Sequence, residues 1–147
     1  MVGILKAIKE DQKKCLERNF DRSYYFVDIH STIVKSNYDS KSIPTEFYPF
    51  AKETLQYMSK LNPRIKLILY TCSHPKEIDL YLNFFRKNDI YFQYVNKNPE
   101  VQTDKNGYGC YDDKPYISVL FDDKAGFDAE EDWEPTLGLL KEIYEIT

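Results

Sequence analysis

The sequence predicts an α/β protein: a three-layer, Rossmann-like fold with a small central parallel sheet, helices on both faces and no cap domain. Three observations predict it. The chain has 147 residues, the length of one ordinary domain. Short apolar runs rich in strand-forming residues alternate with longer segments of helical periodicity, the order that builds parallel sheets. Hydrophobic residues make up 42% of the chain, including 13 Tyr and 9 Phe, enough for a packed core. Residues 1–20 are expected to carry an N-terminal helix and 23–147 the core of a single domain, 1–147.

The elements follow in order. Over 3–18, Ile4, Ala7, Ile8, Cys15 and Leu16 share one helical face, with Lys and Glu elsewhere. Tyr24-Tyr25-Phe26-Val27 is a near-continuous apolar run, the pattern of a strand buried on both faces. Residues 33–45 are polar and read as a loop. From Glu46 to Leu61, Phe50, Leu55, Met58 and Leu61 recur near helical spacing, and Asn62-Pro63 stops the helix. A second strand covers Lys66–Tyr70. His74-Pro75 opens a helix that runs to about Asn88, since Pro suits a first turn. Ile90–Val95 reads as a third strand, 96–113 as a polar loop, Tyr116–Phe121 as a fourth strand and Glu134–Ile146 as a closing helix.

Charge and cysteine content exclude several classes. The net charge of −4 argues against nucleic acid as partner, because nucleic-acid binders present a basic face. No apolar run reaches the roughly 18 residues needed to cross a bilayer. Cys15, Cys72 and Cys110 form no C-x-x-C pair, so neither a disulfide framework nor a zinc knuckle is expected, and a cytoplasmic location is. A homo-oligomer is left open.

Three predicted strands end in reactive residues: Asp28-Ile29-His30-Ser31-Thr32, Thr71-Cys72-Ser73-His74, and Asp122-Asp123. Lys114-Pro115 precedes the fourth strand. In a parallel sheet, loops at the carboxyl ends meet on one edge, where ligands bind. Carboxylates there suit Mg²⁺, and hydroxyls with an ammonium suit phosphate oxygens.

In this order the residues resemble the four motifs of the haloacid dehalogenase (HAD) superfamily. The first motif of that family, an apolar run followed by D-x-D-x-T, stands here as Phe26-Val27-Asp28-Ile29-His30-Ser31-Thr32. The second stands as Leu69-Tyr70-Thr71, the third as Lys114-Pro115, and the fourth as Leu120-Phe121-Asp122-Asp123, with Asp128 where a further acid often follows. The resemblance implies a Mg²⁺-dependent phosphatase acting through an aspartyl-phosphate. Asp28 would be the nucleophile. Thr71 and Lys114 would hold the phosphoryl group. Asp28, Asp122, Asp123 and the His30 carbonyl would hold the metal. Ser31, Thr32 and Ser73 would support the site as hydrogen-bond donors.

One position departs from the family pattern. Where the phosphatases carry a second Asp as acid and base, this chain has His30. A histidine can do acid/base work, so an active phosphatase is expected first. A slow one, or a metal- or phosphate-binding relic, are the alternatives. Thr32 to Thr71 spans 39 residues and Thr71 to Lys114 spans 43, which leaves no room for a folded cap. An open site is therefore expected, with the 96–113 loop as a small lid. The substrate is expected to be a phosphorylated small molecule or macromolecule. A catalytically impaired regulatory module and a nucleic-acid end-processing phosphatase are the competing readings.

Overall fold

The computed structural model describes residues 3–36 and 42–145. Part of the loop expected over 33–45, residues 37–41, lies outside them, as does Ile146, the last residue expected of the closing helix. The element order is α1 (Gly3–Arg18), β1 (Ser23–Val27), α2 (Ala51–Lys60), β2 (Ile65–Leu69), α3 (Pro75–Lys87), β3 (Tyr94–Val95), β4 (Val119–Phe121), a 3₁₀ turn over Asp123–Ala125, and α4 (Trp133–Tyr144). The strands form one parallel sheet in the order β3-β2-β1-β4. No helix among the described residues is long and apolar enough to cross a membrane.

The apolar runs became the central strands because each is covered on both faces. All five residues of β1 are buried. Tyr25 and Val27 join Leu67, Leu69, Val119 and Phe121 in the main core, against Ile8 of α1, Leu55 and Met58 of α2, Tyr81 and Phe85 of α3, and Leu140 of α4. Tyr24, Phe26 and Ile68 form a smaller cluster with Val101, Tyr116, Ile117 and Leu120. Successive side chains of a strand point to opposite faces, so these two clusters are the two sides of the sheet. The buried apolar residues of all four helices fall in the first cluster. The second face, where the sequence reading placed helices, is covered by the irregular 96–118 segment, which supplies the third layer.

The element bounds moved for local reasons. α2 begins at Ala51 rather than Glu46, because Phe50 adopts a left-handed conformation, φ 65°, that an α-helix cannot contain. Ladder pairing in β3 is limited to Tyr94 and Val95. Ile90 is buried all the same, its amide bonded to the Phe85 carbonyl at the end of α3. Leu16, expected on the inner face of α1, is 76% exposed.

Candidate functional site

Parallel register aligns the strand ends. Val27 pairs with both Leu69 and Phe121, and Leu69 pairs with Val95. The next residue of each strand therefore belongs to one row across the carboxyl edge: Asn96, Tyr70, Asp28 and Asp122. Backbone bonds continue the ladder into that row, from Asp28 N to Phe121 O (2.9 Å), Tyr70 N to Val27 O (2.9 Å) and Asn96 N to Leu69 O (2.8 Å). A cavity of about 560 Å³ opens above it, lined among others by Asp28, His30, Thr71, Asp122, Asp123 and Lys124.

After Asp28 the chain turns tightly. The amides of Thr32, Ile33 and Val34 all point at the Ile29 carbonyl, and the Ser31 amide bonds to Val34 O. Ser31 takes the strained left-handed conformation, φ 61°. The turn drives Thr32 into the interior, where it is fully buried. Its hydroxyl lies 3.1 Å from Asp28 Oδ2 and accepts from the Asp123 amide at 3.1 Å. Its carbonyl accepts from Trp133 Nε1 at 2.8 Å. Thr32 thus ties the first strand end to the fourth, and both to α4.

The fourth strand end is shaped by its own capping. The Asp122 carboxylate accepts from the Lys124 amide at 2.9 Å and opens the 3₁₀ turn. Gly126, φ 98°, closes it in the region that favours glycine. Asp28, Asp122 and Asp123 each offer a carboxylate oxygen, all within 4.8 Å of one another. Burial pushes the Asp28 carboxyl up to about 7. The Asp122 charge and a hydrogen bond from the protonated acid to Asp123 add to the rise, and the Thr32 hydroxyl opposes it. Like charges gathered this closely call for a proton or a cation. Three hard oxygen donors suit Mg²⁺, so the residues present fit that ion.

His30 sits in the cleft lining, but its ring reaches back into the protein. Nε2 is 2.6 Å from the hydroxyl of Tyr81 on α3, and the two rings meet edge to face at 5.5 Å. Tyr81 is completely buried, and burial pushes its hydroxyl up to about 12. The His30 ring supplies no atom to the carboxylate cluster.

Thr71 also reaches the cleft, and Asn96 fixes it there. The Asn96 side chain accepts from Thr71 N and donates to Thr71 O, both at 2.7 Å. The Thr71 hydroxyl is paired with Ser73 at 2.9 Å. Asn96 carries no motif signature. Its only sequence signal is its place one residue beyond a predicted strand. His74 is the residue before α3 and makes no side-chain cap. Asp128 lies outside this cleft, in a neighbouring depression with Ser31 and Asp123, and caps the turn into α4 by accepting from the Glu130 amide at 3.1 Å.

Lys114 is exposed and is not among the residues lining the cleft. The reason is topological. It stands five residues before Val119, at the amino end of β4, whereas the cleft lies beyond the carboxyl end. The lysine in the lining is Lys124, which follows the acidic pair. Lys97, next to Asn96, borders an adjoining depression.

A solved structure shares this architecture. It is described as that of a conserved protein coded by a locus from Bacteroides thetaiotaomicron. The two chains are 25% identical, the match covers 86% of this chain and 93% of that one, and the TM-score is 0.59. No family model matches the chain, and no curated protein does.

Proposed function

We propose that the protein is a Mg²⁺-dependent phosphomonoester hydrolase of the HAD type, working through an aspartyl-phosphate in an open cleft. One observation carries the reading: Asp28, Asp122 and Asp123 converge at the carboxyl edge of the sheet, joined by the buried Thr32 hydroxyl. In an α/β sheet this edge is where ligands bind. A carboxylate there is poised to attack, with further carboxylates left to hold a cation.

An Asp28 oxygen bonds to phosphorus while the bond from phosphorus to the ester oxygen breaks. The departing oxygen keeps the electron pair and takes a proton from water in the cleft. Water, deprotonated by the hydroxide that this transfer leaves, adds to phosphorus, and the aspartyl–phosphorus bond breaks to release hydrogen phosphate and restore the carboxylate. Asp28, Asp122 and Asp123, with the His30 carbonyl, would hold Mg²⁺. That ion would keep Asp28 ionised near neutral pH and offset the phosphoryl charge. Lys124 takes the part expected of Lys114 and neutralises a phosphoryl oxygen. Thr71, fixed by Asn96, hydrogen-bonds another.

The test is turnover of p-nitrophenyl phosphate with Mg²⁺, for the protein and for Asp28→Asn. Activity is expected from the first and none from the second. Activity that survives Asp28→Asn refutes the nucleophile. Inactivity of the unaltered protein toward a broad panel of phosphate esters and divalent metals favours a binding module instead.

A further inference from the structure

Asp28 and its neighbours account for attack on phosphorus, but the hydrogen bond between His30 and Tyr81 has no part in that account. Tyr81 Oη is fully buried, and among the described residues its one hydrogen-bond partner is His30 Nε2, at 2.6 Å. A buried hydroxyl hydrogen without an acceptor is costly. Among the described residues no other acceptor bonds to this hydroxyl: the Glu77 carboxylate acts on it through charge alone, and the nearly parallel Phe85 ring lies 6.1 Å away. Phe85 presents only carbon. The phenol therefore donates, and Nε2 accepts.

That direction decides the tautomer of the neutral ring. A lone pair at Nε2 places the proton on Nδ1, since which nitrogen is protonated follows from the bond the other makes. Nδ1 has no hydrogen-bond partner among the described residues, and His30 lines the cleft. The nitrogen left without a partner thus carries a hydrogen and has no lone pair.

We infer that Tyr81 is a positioning residue that locks neutral His30 as the Nδ1–H form, so that His30 acts in the cleft as a hydrogen-bond donor and not as a base. The catalytic part of this inference rests on the phosphatase reading above. His30 then donates to the leaving-group oxygen or to a phosphoryl oxygen, which assists formation of the aspartyl-phosphate. It cannot take a proton from the water that attacks that intermediate. Reversing the His30–Tyr81 bond would strand the Tyr81 hydrogen, which disfavours the base form by roughly tenfold or more. Phosphorylation of Asp28 should accordingly outpace its hydrolysis.

The ring can be read directly by ¹⁵N NMR without substrate. The chain holds only two histidines, so His74→Gln leaves a single ring in the spectrum. At a pH where that ring is neutral, the Nδ1–H form is expected to dominate. A histidine free in water favours Nε2–H, and Tyr81→Phe, which keeps the aromatic packing, is expected to move His30 toward that form. Dominance of Nε2–H in the protein with Tyr81 intact overturns the lock, and this spectrum decides the matter even where Tyr81→Phe fails to fold. An unchanged spectrum in folded Tyr81→Phe overturns the role of Tyr81.

Rapid mixing with p-nitrophenyl phosphate and Mg²⁺ tests the consequence. A burst of about one p-nitrophenolate per protein, then a slower steady rate, is expected. A linear course without a burst, in a protein that Asp28→Asn silences, overturns the donor-only role. Absence of all turnover removes the phosphatase reading and the catalytic role with it, while the ring spectrum still decides the lock.

Discussion

Thr32→Val tests the site at its most loaded hydroxyl. Valine keeps the volume of a fully buried side chain and removes one oxygen. That oxygen accepts from the Asp123 amide and lies in bonding range of Asp28 Oδ2, both at 3.1 Å. Stranding a buried amide costs about 1–3 kcal/mol, and losing a hydrogen bond to an ionised group costs a similar amount. The two losses share one hydroxyl, so they do not add in full. The added methyl returns about 0.8 kcal/mol of apolar burial. The expected net loss is about 2 kcal/mol, or roughly 4–8 °C in Tm for a chain of this size. Trp133, the only tryptophan, reports it well, because its indole bonds to the Thr32 carbonyl at 2.8 Å. Urea titration followed by its fluorescence gives the free energy. A loss under about 0.5 kcal/mol, within the scatter of surface substitutions, would refute the claim that Thr32 ties the two strand ends together. The same variant should bind Mg²⁺ more weakly at fixed pH, because Thr32 is the group that favours the ionised form of Asp28.

Three further outcomes are expected. Asp122→Asn keeps an oxygen for the Lys124 amide but removes a charge that raises the Asp28 pKa. It should stabilise the metal-free protein by about 0.5–1 kcal/mol while abolishing any rise in Tm on adding Mg²⁺. Asp28 also sets a pH window. Burial pushes its carboxyl up to about 7 in the metal-free fold, against an ordinary 3.8. The folded state therefore holds a proton that the unfolded chain gives up, and the stability this proton contributes is full below about pH 4 and lost as the pH rises through 7. Mg²⁺ competes with that proton, so its apparent affinity should climb over the same interval. Denaturation curves with and without Mg²⁺ from pH 4 to 8 should converge at the acid end, and parallel curves would contradict the assignment. Finally, Lys124→Met should lower kcat/KM for p-nitrophenyl phosphate by about 100-fold, whereas Lys114→Met should leave it nearly unchanged. The reverse ranking would restore Lys114 to the site.

The central part of the fold was legible because burial on both faces leaves a plain mark. Tyr24–Val27 and Leu67–Tyr70 are apolar in consecutive positions, as only strands covered on two sides need be. The residues just beyond them, Asp28 and Thr71, were legible for the same reason: a polar residue ending such a run has left the core at a fixed edge. Lys114 was misplaced by the resemblance and not by the pattern: it precedes the predicted fourth strand, and in a parallel sheet that is the amino end, away from the edge where Asp28 and Thr71 emerge. Asn96 leaves no mark in the sequence because its role depends on register. It meets Thr71 only because β3 and β2 pair with Leu69 opposite Val95. The Tyr81–His30 contact joins residues 51 positions apart, and Tyr81 reads in sequence as one more aromatic on the buried side of α3.

The cover on the second face of the sheet is fastened in an unusual way. Glu100, on that irregular segment, is 2.8 Å from Arg22, 3.2 Å from the Tyr24 hydroxyl, 2.7 Å from the Tyr94 hydroxyl and 3.8 Å from Lys66. One carboxylate thereby engages β1, β2, β3 and the residue leading into β1. The segment has no ladder of its own to hold it together, so Glu100 carries its ionic attachment, beside the packing of Val101, Tyr116 and Ile117 and the bonds between Ser118 and Tyr24. Regions with few internal backbone bonds open locally before the rest of the molecule. Amides of 96–118 should accordingly exchange with solvent as a group, well ahead of β1 and β2. The sheet would then behave as two units of unequal resistance: a helix-backed side that opens only with the whole molecule, and a peelable side governed by Glu100.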